Sequence, residues 1–187
     1  MAVVQMSHTL VIGGSGMLAK ASLWLSERSD HVSVIGRNQV KLHRLAERSS
    51  RQNIVPIAVD YYDLDYFGKE ISQSMDRHGP YDLVVAWIHS REKSVIDLVS
   101  EEIRKRTNRS WSLYHVLGSS SNLEEILREL DVSEGCDYHQ VQLGFVIEQG
   151  RSRWLTNEEI SNGVIHAIQT GARKHLVGTL EPWSRRP

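Results

Sequence analysis

Seven consecutive residues, Gly13-Gly14-Ser15-Gly16-Met17-Leu18-Ala19, have the types and spacing to hold a phosphate. They follow the apolar run Thr9-Leu10-Val11-Ile12 and lead into a helix-like segment ending near Arg28. A strand, a glycine turn and a helix in that order aim unpaired N–H groups and the positive end of a helix dipole at one spot. The first glycine permits a tight turn, Gly16 lets the backbone approach a pyrophosphate, and Ala19 is small enough for the helix to pack near the strand. The stretch from Gly13 to Leu18 is the expected cradle of a dinucleotide.

The end of the second strand selects which dinucleotide. An NAD site wants a carboxylate there, about 20 residues beyond the glycines, to accept from the ribose hydroxyls. This chain has Gly36-Arg37-Asn38, with Arg37 21 residues after Gly16. A guanidinium accepts no hydrogen bond but matches a 2′-phosphate in charge and shape, which predicts NADP(H) in preference to NADH. Asn38 can assist the phosphate and cap the following helix. Asp60, ending the third strand, can accept from the adenine amino group. Ala86 and Trp87 end the fourth strand, where the adenine ribose would pass; Trp87 reads equally well as a core aromatic, and Ser90 as a helix cap.

The elements that must position these residues alternate along the chain. After Thr9–Ile12, strand-like runs recur at Val32–Ile35, Ile54–Val59, Leu83–Ile88, Leu113–Leu117, Val141–Ile147 and His175–Val177. Helical stretches of about 10 to 17 residues separate them, as in βαβ units. Pro56 suits a strand end or an edge strand. Thr156-Asn157-Glu158-Glu159 has the form of a capping box, Ile160, Val164 and Ile168 then make an apolar stripe, and Gly171 is a suitable stop. Val95, Val99 and Ile103 line up similarly after Ser90. The predicted fold is a single α/β domain over 1–187: one doubly wound parallel sheet of about seven strands with helices on both faces. Residues 1–7 and 181–187 are expected to be loosely packed ends. In such sheets ligands bind beyond the carboxyl ends of the strands, and Gly14, Arg37, Asp60, Trp87 and Ser119 all fall there.

Composition narrows the partners. A formal charge of −1 offers no field for nucleic acid or a membrane surface, and no apolar run approaches the roughly 18 residues of a membrane span. With no signal-peptide pattern, the expected location is cytoplasmic. The single cysteine, Cys136, excludes an internal disulfide and reads as a packing residue. The nine histidines lack zinc-ligand spacing, and Ser119-Ser120-Ser121 lacks a nucleophile elbow. Arg104-Lys105-Arg106, with Arg109, reads as a solvated helix end. A small-molecule substrate is the expected partner, and homo-oligomerisation stays open.

From His8 to about Gly178 the chain resembles the short-chain dehydrogenase/reductase superfamily, in particular its short, atypical NADP-type members. The resemblance rests on Gly13, Gly16 and Ala19 as the family's glycine turn, on Arg37 and Asp60 at strand ends, and on Trp154–Ile160, which looks like the late segment where a helix follows the substrate-facing loop. It implies a Rossmann fold and NADP-dependent oxidoreduction. The family's Tyr-x-x-x-Lys pair is missing: four residues after Tyr61, Tyr62, Tyr66, Tyr81, Tyr114 and Tyr138 stand Asp65, Tyr66, Glu70, Val85, Gly118 and Gln142. Ser119 or Ser120 matches the family's upstream serine, and Ser121–Cys136 is too short for the usual long helix. Candidate substitutes begin the sixth strand, close in topology to the nicotinamide end: Tyr138 to hydrogen-bond a carbonyl and His139 to serve as general acid; the alternative is that Tyr138 packs and His139 faces solvent or the cofactor amide. Water could instead supply the proton, as in reduction of a quinone or flavin-like acceptor. Three functions follow: an oxidoreductase acting on a small carbonyl, quinone or flavin-like acceptor, a non-catalytic NADP-binding redox sensor or regulatory protein, or a binder of another phosphate ligand on the same fold.

Overall fold

Strands covered on both faces are expected to be apolar on both, and the central ones meet this over Leu10–Ile12, Val34–Ile35 and Leu83–Ala86. The computed structural model describes residues 5–89, 92–132 and 134–187. Among them nine strands form: β1 (Met6–Ile12), β2 (Ser29–Gly36), β3 (Ile54–Ala58), β4 (Leu83–Trp87), β5 (Trp111–Leu117), β6 (Cys136–Leu143), β7 (Phe145–Glu148), β8 (Arg151–Trp154) and β9 (Lys174–Val177). Seven make one sheet in the order β3-β2-β1-β4-β5-β6-β9, with every pairing parallel. The order reverses between β1 and β4, which opens a crevice at their carboxyl ends. β7 and β8 form a separate antiparallel pair.

Side chains alternate between two cores, as the two-residue period of a strand requires. Leu10, Ile12, Ile35 and Val84 face one helix layer, which contains α3 (Leu64–His78) and α4 (Glu92–Arg104) through Phe67, Ile71, Val95, Val99 and Ile103. Val11, Val34 and Val85 face the other, which contains α1 (Ala19–Ser26), α2 (Gln39–Glu47) and α6 (Asn157–Thr170). Each such large side chain removed from water contributes about 1.5–3 kcal/mol. The predicted capping box forms: Thr156 Oγ1 accepts from Glu159 N at 3.2 Å, Thr156 N donates to Glu159 Oε2 at 2.8 Å, and Gly171 stops the helix at φ +64°. Asn38 caps α2, accepting from Lys41 N at 3.0 Å. The cap expected of Ser90 lies outside the described residues.

Pro56 sits in β3, an outer strand of the sheet, in register with Val34. Val59 N donates to Gly36 O, so alternate residues of this strand aim their N–H groups at β2 and Pro56 belongs to the outward set. Its missing N–H therefore costs no ladder bond.

Several expectations are corrected. The sixth strand starts at Cys136 and ends at Leu143 rather than spanning 141–147. Its early residues Tyr138, His139 and Gln140 are polar in type yet buried, so they hide the strand from an apolar-run reading. It stops at Gly144, where a Cβ would lie 2.2 Å from Thr179 O. The chain then turns away as the hairpin, pinned by reciprocal Phe145–Thr179 backbone bonds of 2.9 Å. Strand pairing begins at Met6, inside the end expected to be loose. The other end, 181–187, is exposed along its length, with a 3₁₀ turn at Trp183–Arg185 and Arg185 donating to Gly150 O at 2.6 Å. The Arg104–Arg106 cluster is no plain solvated end either. Arg106 bonds Asp76, Ser72 and Glu102, tying α4 to α3.

Candidate functional site

A trough runs along the carboxyl edge of the sheet in two clefts of about 390 and 340 Å³ that share Met17 and Trp87 as a common wall. The first is lined by Gly13, Ser15, Gly16, Arg37, Asn38 and Lys41, closed by Tyr61 and His89. The second is lined by Gly118, Ser119, Ser120, Gly144, Trp154 and Asn157, with Arg186 at its rim.

The glycine turn is held by its surroundings. Gly13 has φ +78°, and a Cβ there would lie 3.0 Å from Trp87 O, so the β1 turn and the end of β4 meet at the switch point. Gly13 N donates to Ile35 O at 2.9 Å. Gly14 lies inside the fold: a Cβ would stand 2.7–2.8 Å from Ser22 Oγ, Val34 Cγ1 and Val11 Cγ1. Its work is to let α1 pack close, and Ser22 Oγ clasps the turn through Gly14 O and Leu18 O. Leu18 is likewise core, whereas Gly16 has no atom within 4 Å of a Cβ position and faces open space. Ser161 Oγ of α6 donates to Met17 O at 2.7 Å, fixing the far end of the turn. Such a turn, open at Gly16 and rigid elsewhere, fits a pyrophosphate.

Arg37 and Asn38 follow β2 and line the first cleft, and Lys41 joins them from the first turn of α2. Lys41 is not marked by any strand-end pattern in the sequence. Its place at the third position of the helix that Asn38 caps, next to the strand end, is the signal the sequence offers. Asp60 points one carboxylate oxygen at Tyr62 N, 3.1 Å away, while its neighbours Val59 and Tyr61 line the cleft. Tyr61 Oη in turn accepts from His89 N at 3.3 Å, so the loops after β3 and β4 are joined at the rim. Ala86 is fully buried and lies behind Trp87, whose ring meets His89 edge-on at 5.0 Å.

In the second cleft Ser119 sits on the loop after β5. Gln142 near the end of β6 holds that loop, its Nε2 donating to Ser121 O at 3.1 Å and Ser119 O at 3.4 Å. Tyr138 and His139 do not reach it. They pair with Leu113 and Tyr114 early in β5, and lie five and four residues before Leu143, about 13 to 16 Å of strand from the carboxyl edge. The Tyr138 hydroxyl bonds His115 Nδ1 at 2.9 Å, and burial pushes its pKa up to about 12. His139 is buried between Ala172 O and Asp137 Oδ2, at 3.0 and 2.9 Å. The catalytic alternative is corrected for both, because their strand begins five residues earlier than its apolar part: Tyr138 packs into the core, and His139 is buried rather than facing solvent. Burial also drives the Cys136 thiol up to about 12 and holds His115 down to about 4.

No protein-family model matches the chain, and no curated protein matches it in sequence. Solved structures do match in fold. Glucose dehydrogenase of Caenorhabditis elegans aligns with a TM-score of 0.70 at 10% identity, over 98% of this chain and 100% of that one. A short-chain dehydrogenase/reductase from Serratia marcescens gives 0.69 at 14%, over 94% and 98%. A metagenomic short-chain oxidoreductase in complex with NADP gives 0.62 at 15%, over 96% and 100%. The chain has the Rossmann fold of the short-chain dehydrogenases/reductases. Among the described residues no helix is long and apolar enough to cross a membrane, and no three His, Cys, Asp or Glu side chains are grouped to hold a metal ion.

Proposed function

We propose that the chain binds NADP(H) along this trough and acts as a short-chain-type oxidoreductase on a small carbonyl, quinone or flavin-like acceptor. The observation that carries the reading is the sharing of Met17 and Trp87 by two adjoining clefts, one framed by a phosphate turn and two cations, the other by apolar walls. The backbone N–H groups from Ser15 to Met17 hold the pyrophosphate. Arg37 and Lys41 hold the 2′-phosphate, which an NADH-type ribose lacks, and this sets the preference for NADP(H). Asp60 keeps one oxygen for the adenine amino group. Trp87 divides the adenosine side from the acceptor side.

A bound nicotinamide supplies a hydride at the second cleft. There Ser119 donates a hydrogen bond to the acceptor oxygen, and Trp154, Leu155 and Ile160 exclude water from one side. Among the described residues the polar side chains lining that cleft are the hydroxyls of Ser119 and Ser120, the Asn157 amide and the Arg186 guanidinium, with no carboxyl, imidazole or phenol. Water therefore supplies the proton. This favours acceptors that do not need a placed acid, such as quinones and flavins, over aldehydes. The same lack of an acid favours a second reading, a non-catalytic NADP-binding redox sensor. The protein is expected to act in the cytoplasm.

Calorimetric titration with NADPH and NADH, followed by NADPH oxidation against quinones, flavins and aldehydes, tests both. NADPH binding at least tenfold tighter than NADH, with turnover of a quinone or flavin, is the expected outcome. Tight NADPH binding with no turnover leaves the sensor. Absence of NADPH binding rejects both.

A further inference from the structure

Two arginines near the hairpin are committed. Arg153 is clamped by Glu148 and Glu159, with N–O distances of 2.8 to 3.2 Å, and Arg185 donates to Gly150 O. The nearby carboxylates are committed as well: Glu158 pairs with Lys20 at 2.7 Å and Glu159 with Arg153. Arg186 differs. Its guanidinium lies 5.2 Å from the Trp154 ring centre and 4.8 Å from that of Trp183, and among the described residues no carboxylate pairs with it. Two indole faces orient a guanidinium through cation–π attraction without neutralising it or consuming its N–H donors.

This oriented cation stands on the rim of the second cleft, and it is the one charged side chain in the described lining. The remaining lining includes the Trp87 indole and the apolar side chains of Met17, Leu143 and Leu155. An apolar slot with one planar, uncompensated cation at its mouth recognises a molecule that is flat at one end and anionic at the other. We infer that Arg186, set by Trp154 and Trp183, is a specificity-determining residue, and that the acceptor is an aromatic ring system carrying a carboxylate, phosphate or sulfonate group. The inference rests on the reading of the second cleft as the acceptor side.

The experiment compares naphthoquinone with naphthoquinone sulfonate, which differ in one permanent negative charge. Dissociation constants are measured by equilibrium dialysis at low salt, on protein saturated with NADP⁺, where no hydride is available, and again without dinucleotide. The sulfonate is expected to bind about five- to tenfold more tightly, an advantage that shrinks as salt rises because the arginine is exposed. Arg186→Ala should bring the two quinones within about twofold of each other, and Arg186→Lys should retain part of the preference. Trp154→Ala should weaken both quinones. Equal affinity of the wild type for the two quinones, or an unchanged sulfonate preference in Arg186→Ala, overturns the inference. Titration of NADP⁺ into the same proteins without quinone reports separately on the cofactor reading. Loss of that binding with the sulfonate preference intact would count against the cofactor reading alone.

Discussion

The first half of the trough rests on main chain, the second on side chains. In the first, Gly13 and Gly14 leave no room for a side chain, which would collide with Trp87 O or with Ser22, Val34 and Val11, and Arg37 and Asn38 are delivered directly by the end of β2. In the second, the hairpin, the loop after β5 and the turn at Trp183 are tied by Gln142, Arg153, Arg185 and Arg186. The difference teaches which part can change. A backbone turn tolerates few substitutions but serves many ligands that share a pyrophosphate. A wall of side chains can be rebuilt for a new acceptor without disturbing the sheet.

The sharpest way to break the contrast is Gly144→Ala. This position belongs to the second half yet is constrained by backbone, since its Cβ would fall 2.2 Å from Thr179 O. Overpacking of this kind costs about 3 kcal/mol, so urea unfolding should show the largest loss of any variant on this rim. A loss below about 1 kcal/mol, the level expected of a mild repacking, would mean that the rim yields more readily than the packing indicates. Next comes Arg37→Ala, which should weaken NADPH by about 1.5–3 kcal/mol and leave NADH nearly unchanged. Lys41→Ala should act in the same direction with a smaller effect. Titration calorimetry reads both, and equal losses for NADPH and NADH would remove the 2′-phosphate from the account.

Thr156→Ala removes half of the capping box that fixes the α6 end of the second half, at a cost of about 1 kcal/mol. Thermal unfolding should register it while NADPH affinity stays constant. The smallest expected effect is a pH dependence. Bonds from Arg153 and from Thr156 N hold the Glu159 carboxyl well below its ordinary value, at about 2. A carboxylate whose pKa is lower in the folded state stabilises the fold above the unfolded value of about 4.5. That contribution fades as pH falls from there toward about 2. Solvent screening keeps it below about 1 kcal/mol. Acid titration of stability should therefore be flatter in Glu159→Gln than in the wild type over this range.

Sequence patterning carried the two halves unequally. The β1 turn, the capped starts of α2 and α6 and the two-sided strands were legible because each follows a local rule of spacing, cap or alternation. Lys41 is hidden because it stands inside α2 rather than at a strand end. Trp154 and Arg186 could not be seen as one feature, because their meeting depends on the hairpin folding back beside the turn at Trp183. Tyr138 and His139 misled for the opposite reason. Their residue types invite catalysis, but the buried start of β6 turns them to structural bonds with His115, Ala172 and Asp137.

Pro56 has a consequence for company rather than for chemistry. A sheet edge that presents regular N–H groups invites another chain to lengthen it, and such growth leads toward aggregation. At β3 an incoming strand would meet a ring where a donor should be, halfway along a run of only five residues. At the opposite border β9 offers just four residues, starting at Lys174. Neither border is a good template for continued strand addition, so helix faces are the better ground for any contact between copies.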